Sequence, residues 1–380
     1  MPVCLSNAWI VQPDRVIRGN LEIEDQLFTY VGASGQIGRG SIDCQGDYLL
    51  PGLVDLHTDN VEQHFFPRPA VQWPCSLSAV IAHDSQMLCA GITTVLDSLS
   101  LGDYDSAGSR ARILKAAIEA ISSARSAGIL RSDHYFHFRC EISDPYLTNI
   151  IENYLDHPML KLFSVMDHTP GQRQWRNLDL FRKYRRERKG LAWTDDEFVG
   201  YLAECRRIQH ELAPKLRDHV HRAAATRGIP VASHDDTTIA DVDESWSSGI
   251  TLCEFPTTVE AARRARVHGM RIIMGAPNIV LGGSHSGNVS AATLADEGLL
   301  DILTSDYVPT SMLQAVFLLA TRGVALQDAV AMVTSRPADA LGLHDRGRIE
   351  SGQRADLLRV RIVDKVPVLA GVWVRGYQYF

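Results

Sequence analysis

Residues 49–60 read LLPGLVDLHTDN, an apolar run that leads directly into His57 and Asp59. Side chains two positions apart on an extended strand point to the same face, so we expect His57 and Asp59 to leave one strand end together. The run lacks polar alternation apart from Asp55, which is typical of a parallel strand buried on both faces. Because α/β barrels place their active sites at the carboxyl ends of such strands, this stretch predicts a polar site on a barrel.

Outward from this stretch, apolar segments alternate with helical patterns. We predict strands at Leu49–Leu56, Thr93–Leu96, Tyr135–Glu141, Leu160–His168, Ile229–His234, Ile250–Phe255, Arg271–Ala276 and Leu300–Thr304. Helical patterns between them include Ser109–Ala127, Asp195–Arg227 and Thr258–His268. Eight strands alternating with helices predict a (β/α)8 TIM barrel over residues 51–344.

The two ends of the chain have a different character. Residues 1–50 and 345–380 contain short strands and turns but no long helical pattern. We therefore expect a small β-sandwich domain formed by both termini, which makes the whole chain an α/β protein of two domains. An open doubly wound sheet is the alternative for the middle of the chain, but its glycine-rich GxGxxG turn is absent from the sequence.

Composition limits the class of protein. The chain has 380 residues, of which 45% are hydrophobic and 22% charged, as in ordinary globular proteins. Its 38 basic and 45 acidic side chains give a net charge of −7, which argues against general nucleic-acid binding. Seven cysteines without a CxxC pair predict reduced, mostly buried thiols. We expect no signal peptide, no membrane contact and a cytoplasmic location; a homo-oligomer is compatible with the sequence.

Several predicted strands end in side chains that bind metal ions. The candidate ligands are His57, Asp59, Glu141, His168, His234 and Asp306. Each of them alone is more often structural, as a hydrogen-bonded histidine or a helix N-cap. Together, on five strand ends, they favour a site for one or two divalent ions, which lower the pKa of a bound water. A free carboxylate can then accept the proton of that water.

Lys161 is a further candidate, because a carbamylated lysine can bridge two metal ions in barrels of this kind. It lies seven residues before His168, and an odd separation puts it on the opposite face of a regular strand. We therefore expect Lys161 to face the helices or solvent and Glu141 to be the better bridging ligand, unless a bulge shifts the strand.

Other segments suit an anionic ligand. Candidate substrate-binding residues are Arg68 in FFPRPAVQWP, Arg139 on the face of Glu141, and Gly283, Ser284, His285 and Ser286 in MGAPNIVLGGSHSGN. Glycines allow backbone amides to approach an oxyanion, although a surface loop has the same composition. Residues 172–190 contain eight Lys and Arg side chains, which indicate either a solvated helical face or a basic lid over an anionic substrate.

These motifs resemble a known family. PGLVDLHTD and GRIESGQRADLL are similar to the amidohydrolase superfamily, which pairs a metal-binding (β/α)8 barrel with a β-sandwich from both termini. Within it, RCE, MDHTPGQRQ, ASHDD and MGAPNIVLGGSHSGN resemble the PhnM family of the carbon–phosphorus lyase pathway of phosphonate use. The resemblance implies hydrolysis of α-D-ribose 1-methylphosphonate 5-triphosphate to the 5-phosphate and diphosphate. It also implies that Asp306 is the general base when water attacks the α-phosphorus.

The chain departs from the wider superfamily at two ligand positions. The first motif is HxD where HxH is usual, and Glu254 in CEFPTT stands where the sixth strand usually carries a histidine. An added carboxylate favours Mn²⁺ or Mg²⁺, and Zn²⁺ is also compatible. Whether Glu141 or Glu254 completes the site stays open. The alternatives are a deaminase, a cyclic amidase or an inactive binding scaffold; the basic segment and the retained ligands argue against them.

Overall fold

The computed structural model describes residues 2–33, 40–68, 71–102, 109–284 and 287–380. In these ranges the strands are β1 (Val3–Val11), β2 (Val16–Glu24), β3 (Leu27–Gly32), β4 (Ile42–Asp43), β5 (Tyr48–Pro51), β6 (Leu53–Thr58), β7 (Ile92–Leu101), β8 (Asp133–Glu141), β9 (Leu160–Met166), β10 (Val231–His234), β11 (Leu252–Glu254), β12 (Arg271–Gly275), β13 (Ile302–Thr304), β14 (Leu357–Val363), β15 (Val366–Val374) and β16 (Tyr377–Gln378).

The helices of the same ranges lie mainly between the middle strands. They are α1 (Val61–Phe65), α2 (Ser76–Cys89), α3 (Ser109–Ser126), α4 (Leu147–Ile151), α5 (Leu178–Lys189), α6 (Asp195–Arg227), α7 (Ile239–Ser247), α8 (Val259–Val267), α9 (Ala276–Leu281), α10 (Ala291–Asp296), α11 (Ser311–Thr321), α12 (Leu326–Ala331) and α13 (Ser335–Ala340), with a 3-10 turn at Arg173–Trp175. The three predicted helices correspond to α3, α6 and α8 and differ from them by one residue or less at each end.

Strands β6 to β13 form the predicted barrel. They pair in chain order, and every pairing between neighbours is parallel. The first and last strands meet where the amide of Asp306 donates to the carbonyl of His57 (2.9 Å) and the amide of Asp59 donates to that of Asp306 (2.7 Å). One buried side chain from each strand fills the interior: Leu56, Leu96, Tyr135, Leu162, Ala232, Leu252, Ile273 and Ile302. The TIM barrel is therefore confirmed, with a packed interior instead of a pore.

Both termini build the second sheet, which confirms the other half of the predicted fold. Its strand order is β16-β15-β14-β5-β1-β2-β3, and β4 pairs with β1. Strands from the two ends of the chain meet where β14 pairs antiparallel with β5. A separate core of buried side chains from both termini, including Leu5, Phe28, Leu357 and Trp373, packs on this sheet.

The strand predicted at Leu49–Leu56 is wrong in one respect, because it is two strands in two different sheets. Tyr48–Pro51 pairs with β1 and β14, whereas Leu53–Thr58 pairs with β7. Gly52 separates them and donates its amide to the carbonyl of Asp356 (2.9 Å). A Cβ at Gly52 would lie 2.2 Å from Oγ1 of Thr93, so the backbone of the junction packs directly against β7. A continuous apolar run does not reveal such a change of sheet.

Two expectations about the whole chain can be compared with the structure. All seven cysteines are free, and four of them, Cys44, Cys140, Cys205 and Cys253, are buried. No helix within the described ranges combines the length and the apolar character that a membrane crossing needs.

The junction gives a stability prediction. We expect Gly52→Ala to lower the free energy of unfolding by about 1–3 kcal/mol, because the new methyl group overpacks the contact with Thr93. Gly200 is the matched control: it lies inside α6, and a Cβ there would meet nothing within 4 Å. Gly200→Ala should stabilise the protein by roughly 0.5–1 kcal/mol through helix propensity. Denaturant unfolding measures the free energy of unfolding of both variants. Equal values would contradict the tight packing of Gly52 against Thr93.

Candidate metal centre

The carboxyl ends of the barrel strands bring five predicted ligands together with Glu254. His57 Nδ1 lies 2.8 Å from Glu254 Oε1, and His234 Nε2 lies 3.7 Å from Glu254 Oε2. All three of these side chains are buried, and they come from β6, β10 and β11. Their nitrogen and oxygen atoms lie within 4.8 Å of one another, close enough to hold one ion. The structure therefore brings Glu254, on the sixth barrel strand, into direct contact with the first motif.

Two further groups share ligands with this one. His168, His234 and Asp235 form the second, with Asp235 Oδ2 3.1 Å from His234 Nδ1 and 3.9 Å from His168 Nε2. His57, Asp59 and Asp306 form the third, with His57 Nε2 3.6 Å from Asp59 Oδ1. Because His57 and His234 belong to two groups each, the three groups form one continuous cluster at the barrel mouth.

Unpaired atoms indicate that this cluster suits a divalent ion. His234 Nε2 and Glu254 Oε2 are buried without a hydrogen-bond partner in the described chain, and His234 Nδ1 and Asp235 Oδ2 face each other at 3.1 Å without the geometry of a regular hydrogen bond. Buried polar atoms in proteins are nearly always paired, and an ion is one of the few explanations for exceptions. Imidazole nitrogens combined with carboxylate oxygens are ligands for Zn²⁺, Mn²⁺ and related ions. The residues present therefore fit a metal, although they do not identify it.

The backbone holds several of these side chains in sparsely populated conformations. Asp235, Phe255 and Asp306 have φ angles of +58°, +53° and +54°; the first two directly follow a barrel strand, and Asp306 lies two residues after the end of β13. In each case the chain turns while its amide still donates to the neighbouring strand: to Glu254 O (3.0 Å), Ile273 O (2.9 Å) and His57 O (2.9 Å). Left-handed geometry costs about 1–3 kcal/mol for residues with a side chain and is concentrated at functional sites.

Glu141 contacts a candidate ligand instead of joining the three groups. Its Oε2 lies 2.7 Å from His168 Nδ1, and its Oε1 accepts from the His168 amide (3.2 Å) and from Ser143 Oγ (2.6 Å). A carboxylate in this position fixes the orientation and basicity of a metal-binding imidazole. The direct binding of a metal by Glu141 stays a prediction. Lys161 lies at the opposite end of β9 from His168, with its ammonium 5.7 Å from the centre of the Tyr135 ring.

Charges at the mouth shift the protonation of its members. Burial opposes the charged form of His57, but the carboxylates of Glu254 and Asp59 outweigh it and raise the pKa of His57. Burial also disfavours the charge of Glu254, yet the surrounding histidines hold its pKa below the usual range. Burial, together with the neighbouring charge of Asp59, raises the pKa of Asp306 to about 6. Asp306 therefore binds a proton more tightly than an exposed aspartate does.

Of the predicted anion-binding residues, Arg139 lies directly at the mouth. Its Nη1 donates to Asp59 Oδ1 (2.6 Å), while its buried Nε has no partner in the described chain. Ser100 and Ser164 occupy the adjacent registers on β7 and β9, and their hydroxyls are also buried and unpaired in the described chain.

The other predicted anion-binding residues follow short helices or lie outside the described ranges. Arg68 is exposed after α1, and Gly283 and Ser284 follow α9. His285 and Ser286 lie outside the described residues.

The basic segment after His168 is an ordered helical unit. Helix α5 packs on α6 through an aromatic cluster that includes Phe181 and Phe198, separate from the main core. Before it, Arg173 is buried and its Nη1 donates to Asp236 Oδ1 (2.6 Å) and to the carbonyl of His234 (2.9 Å). The sequence shows Arg173 only as one cation in a basic run, so its burial could not be predicted. A lid role for the segment stays a prediction.

A second histidine–carboxylate group was missed. Asp97 Oδ1 lies 2.7 Å from His83 Nε2, and its Oδ2 lies 2.8 Å from His134 Nδ1, with all three side chains fully buried. The predicted strand ended at Leu96, five residues before β7 ends at Leu101, and so it left out Asp97. Each carboxylate oxygen of Asp97 already contacts an imidazole, so we interpret this group as a closed ion-pair network that joins α2 to β7 and β8.

Comparisons with known proteins agree with this arrangement. The amidohydrolase family (Amidohydro_3) matches residues 260–376. The α-D-ribose 1-methylphosphonate 5-triphosphate diphosphatase of Escherichia coli (strain K12) is 41% identical over 379 residues, which cover 99% of this chain and 100% of the relative. The crystal structure of dihydropyrimidinase from Brevibacillus agri NCHU1002 matches with a TM-score of 0.64 at 13% identity, covering 100% of this chain and 95% of the other. Molinate hydrolase matches with a TM-score of 0.66 at 14% identity, covering 99% and 94%.

The barrel, the terminal sheet and the buried cluster at the mouth define the class as a hydrolase built on an α/β barrel. The chain belongs to the amidohydrolase family, and its full-length identity to the diphosphatase confirms the resemblance to the PhnM family. The two solved structures, at 13% and 14% identity, show the fold alone.

The cluster that contains Glu254 and the network around Asp97 give opposite predictions for metal binding. We expect Glu254→Gln to weaken the binding of Mn²⁺ or Zn²⁺ at least about tenfold, because it removes a buried anionic oxygen from the mouth. Asp97→Asn should lower the stability of the protein but leave its metal affinity unchanged. Metal content after chelation and reloading measures both variants. If Asp97→Asn weakened metal binding and Glu254→Gln did not, the metal site would lie at the Asp97 network instead.

Proposed function

We propose that this protein hydrolyses α-D-ribose 1-methylphosphonate 5-triphosphate to α-D-ribose 1-methylphosphonate 5-phosphate and diphosphate in phosphonate catabolism. The observation that carries the proposal is the 41% identity along the whole length of the diphosphatase from Escherichia coli. The cluster of imidazoles and carboxylates beside Arg139 supports it, since it combines groups for water activation with a donor for phosphoryl oxygens. We also propose that the enzyme is soluble and cytoplasmic and has no nucleic-acid partner.

The proposed ligands of one or two Zn²⁺, Mn²⁺ or Mg²⁺ ions are His57, Asp59, His168, His234, Glu254 and Asp306, with Glu141 behind His168. When bound, a divalent ion polarises phosphoryl oxygens and makes water more acidic. Glu141 keeps the His168 ring in one orientation, and Glu254 does the same for His57. The added carboxylates are consistent with a harder ion than an all-histidine site prefers.

Asp306 is the proposed general base. Without a bound metal, burial and the charge of Asp59 raise the pKa of Asp306 to about 6, so it takes up a proton more readily than an exposed aspartate, as a general base must. It accepts a proton from the attacking water as the water oxygen bonds to the α-phosphorus. The bond from the α-phosphorus to the bridging oxygen then breaks, and diphosphate leaves with that oxygen.

Cationic and N–H groups are proposed to hold the triphosphate. Arg139 is nearest to the cluster, and its unpaired Nε is available in the described chain for a phosphoryl oxygen. Arg68, the backbone of Gly283 and the residues Ser284, His285 and Ser286 are proposed as further contacts of the triphosphate. The basic helix α5 is proposed to cover the substrate, because a triphosphate needs several donors to replace its hydration.

The direct test is the reaction itself. Purified protein loaded with Mn²⁺, Mg²⁺ or Zn²⁺ should release diphosphate from the ribose methylphosphonate triphosphate, measured by a coupled diphosphate assay. Hydantoin and cytosine serve as comparison substrates for the amidase and deaminase alternatives. The proposal would be refuted if no diphosphate were released with any of the three metals, or if a comparison substrate were turned over faster.

The role of Asp306 can be tested separately. Asp306→Asn should lower kcat by about two orders of magnitude or more, because general base catalysis typically contributes that much. Most of the bound metal should remain, since the other proposed ligands are unchanged. Asp296→Asn, at an exposed ion pair with Arg322, is the matched control and should keep wild-type turnover. A kcat of Asp306→Asn near the wild-type value would exclude Asp306 as the base.

A further inference from the structure

The motif DHTPGQR, residues 167–173, contacts two candidate metal-binding strand ends, and apart from His168 its residues have no part in the reaction proposed above. We call this segment the clamp. It begins beside His168 at the end of β9 and ends at the first residue of the 3-10 turn Arg173–Trp175. At its first end, Asp167 Oδ2 accepts from Gln172 Nε2 (2.7 Å) and from Gln209 Nε2 (3.0 Å). The clamp is thereby closed on itself and tied to α6.

At its other end the clamp reaches the neighbouring ligand strand. Arg173 Nη1 donates both to the backbone carbonyl of His234 (2.9 Å) and to Asp236 Oδ1 (2.6 Å). The Arg173 side chain is only 7% exposed and that of Asp236 is fully buried, so the charge pair is shielded from solvent. Buried guanidinium–carboxylate contacts of this kind fix geometry more strongly than exposed ones do.

Two observations show that Arg173 is held in place and is not merely accommodated. Its φ angle is +47°, a conformation that a residue with a side chain keeps only where its surroundings enforce it. Its partner Asp236 is itself fixed, because the hydroxyls of Ser233 and Ser245 lie 2.5 Å and 3.4 Å from its carboxylate.

We propose that Arg173 is a positioning residue that sets the place of His234 relative to His168. The two imidazole rings lie with their centres 5.9 Å apart, and both belong to the group completed by Asp235. A divalent ion that binds between them depends on this spacing, which the clamp fixes by holding both strand ends. Residues that orient metal ligands typically change metal affinity by about 10–100-fold when replaced.

The test compares two arginines of the same region. Arg182 on α5 also contacts one carboxylate and one backbone carbonyl, Asp195 Oδ1 (2.7 Å) and Trp193 O (2.6 Å), and neither partner is a proposed metal ligand. Binding of Mn²⁺ and Zn²⁺ to the metal-free, full-length protein is measured by chelator competition, and the folded fraction is measured by circular dichroism. We expect Arg173→Met to weaken metal binding by the folded protein about tenfold or more, and Arg182→Met to leave it unchanged.

A merely structural role for Arg173 would reduce the folded fraction without changing the dissociation constant of the metal, and that result would overturn the proposal. If Arg173→Met does not fold, Arg173→Lys replaces it. Its single ammonium keeps the charge beside Asp236 but lacks the guanidinium geometry, so we expect intermediate metal affinity, and wild-type affinity would overturn the proposal. The experiment needs no substrate, so it is independent of the reaction proposed above. Absence of metal binding by the wild-type protein would refute the clamp and the metal centre together.

Discussion

The closure of the barrel between its first and last strands is the constraint on which the site depends. The amides of Asp59 and Asp306 cross between these strands to the carbonyls of Asp306 and His57. Beneath them, Asp55 Oδ1 accepts from the amides of His57 (3.2 Å) and Ser305 (3.0 Å). Burial raises the pKa of Asp55 to about 6, because the lost hydration of its carboxylate outweighs these hydrogen bonds. Closure therefore places His57, Asp59 and Asp306 side by side, although about 250 residues separate the strands.

The same closure explains why the polar groups lie at only one end. Parallel strands direct all their carboxyl ends to one rim, and the left-handed residues Asp235, Phe255 and Asp306 continue the backbone hydrogen bonding one or two residues beyond the strand ends. The side chains of the rim are thereby held by backbone hydrogen bonds together with side-chain contacts such as those of Glu254 with His57 and Glu141 with His168. Such a rim can leave His234 and Glu254 with unpaired atoms, because the barrel supplies the stability that these atoms do not.

Features of the fold and site that have a local sequence pattern could be predicted, whereas features that depend on contacts between distant elements could not. Two-residue periodicity and apolar runs are local, and they identified the barrel strands and the ligands at their ends, such as His57 and His234. The split of the first strand at Gly52 escaped prediction, because the choice between two sheets depends on packing against Thr93. Asp97 and Arg173 escaped for a similar reason: their partners lie on other elements, and nothing in their own neighbourhood distinguishes them from ordinary surface charges.

A mouth that contains so many carboxylates would repel a polyphosphate unless cations balanced it, and the contact between Arg139 and Asp59 bears on this problem. The oxygen of Asp59 that Arg139 contacts also lies 3.6 Å from His57 Nε2. In the proposed function, the Asp59 carboxylate therefore contacts both the Arg139 guanidinium and the metal-binding group. One carboxylate would then hold the positive charges of the arginine and the metal ion close together. Both charges would attract a phosphoryl oxygen placed near them, and a partly buried site would screen this attraction less than bulk water does. An HxD motif permits this arrangement, whereas the second histidine of an HxH motif has no negative charge with which to hold an arginine.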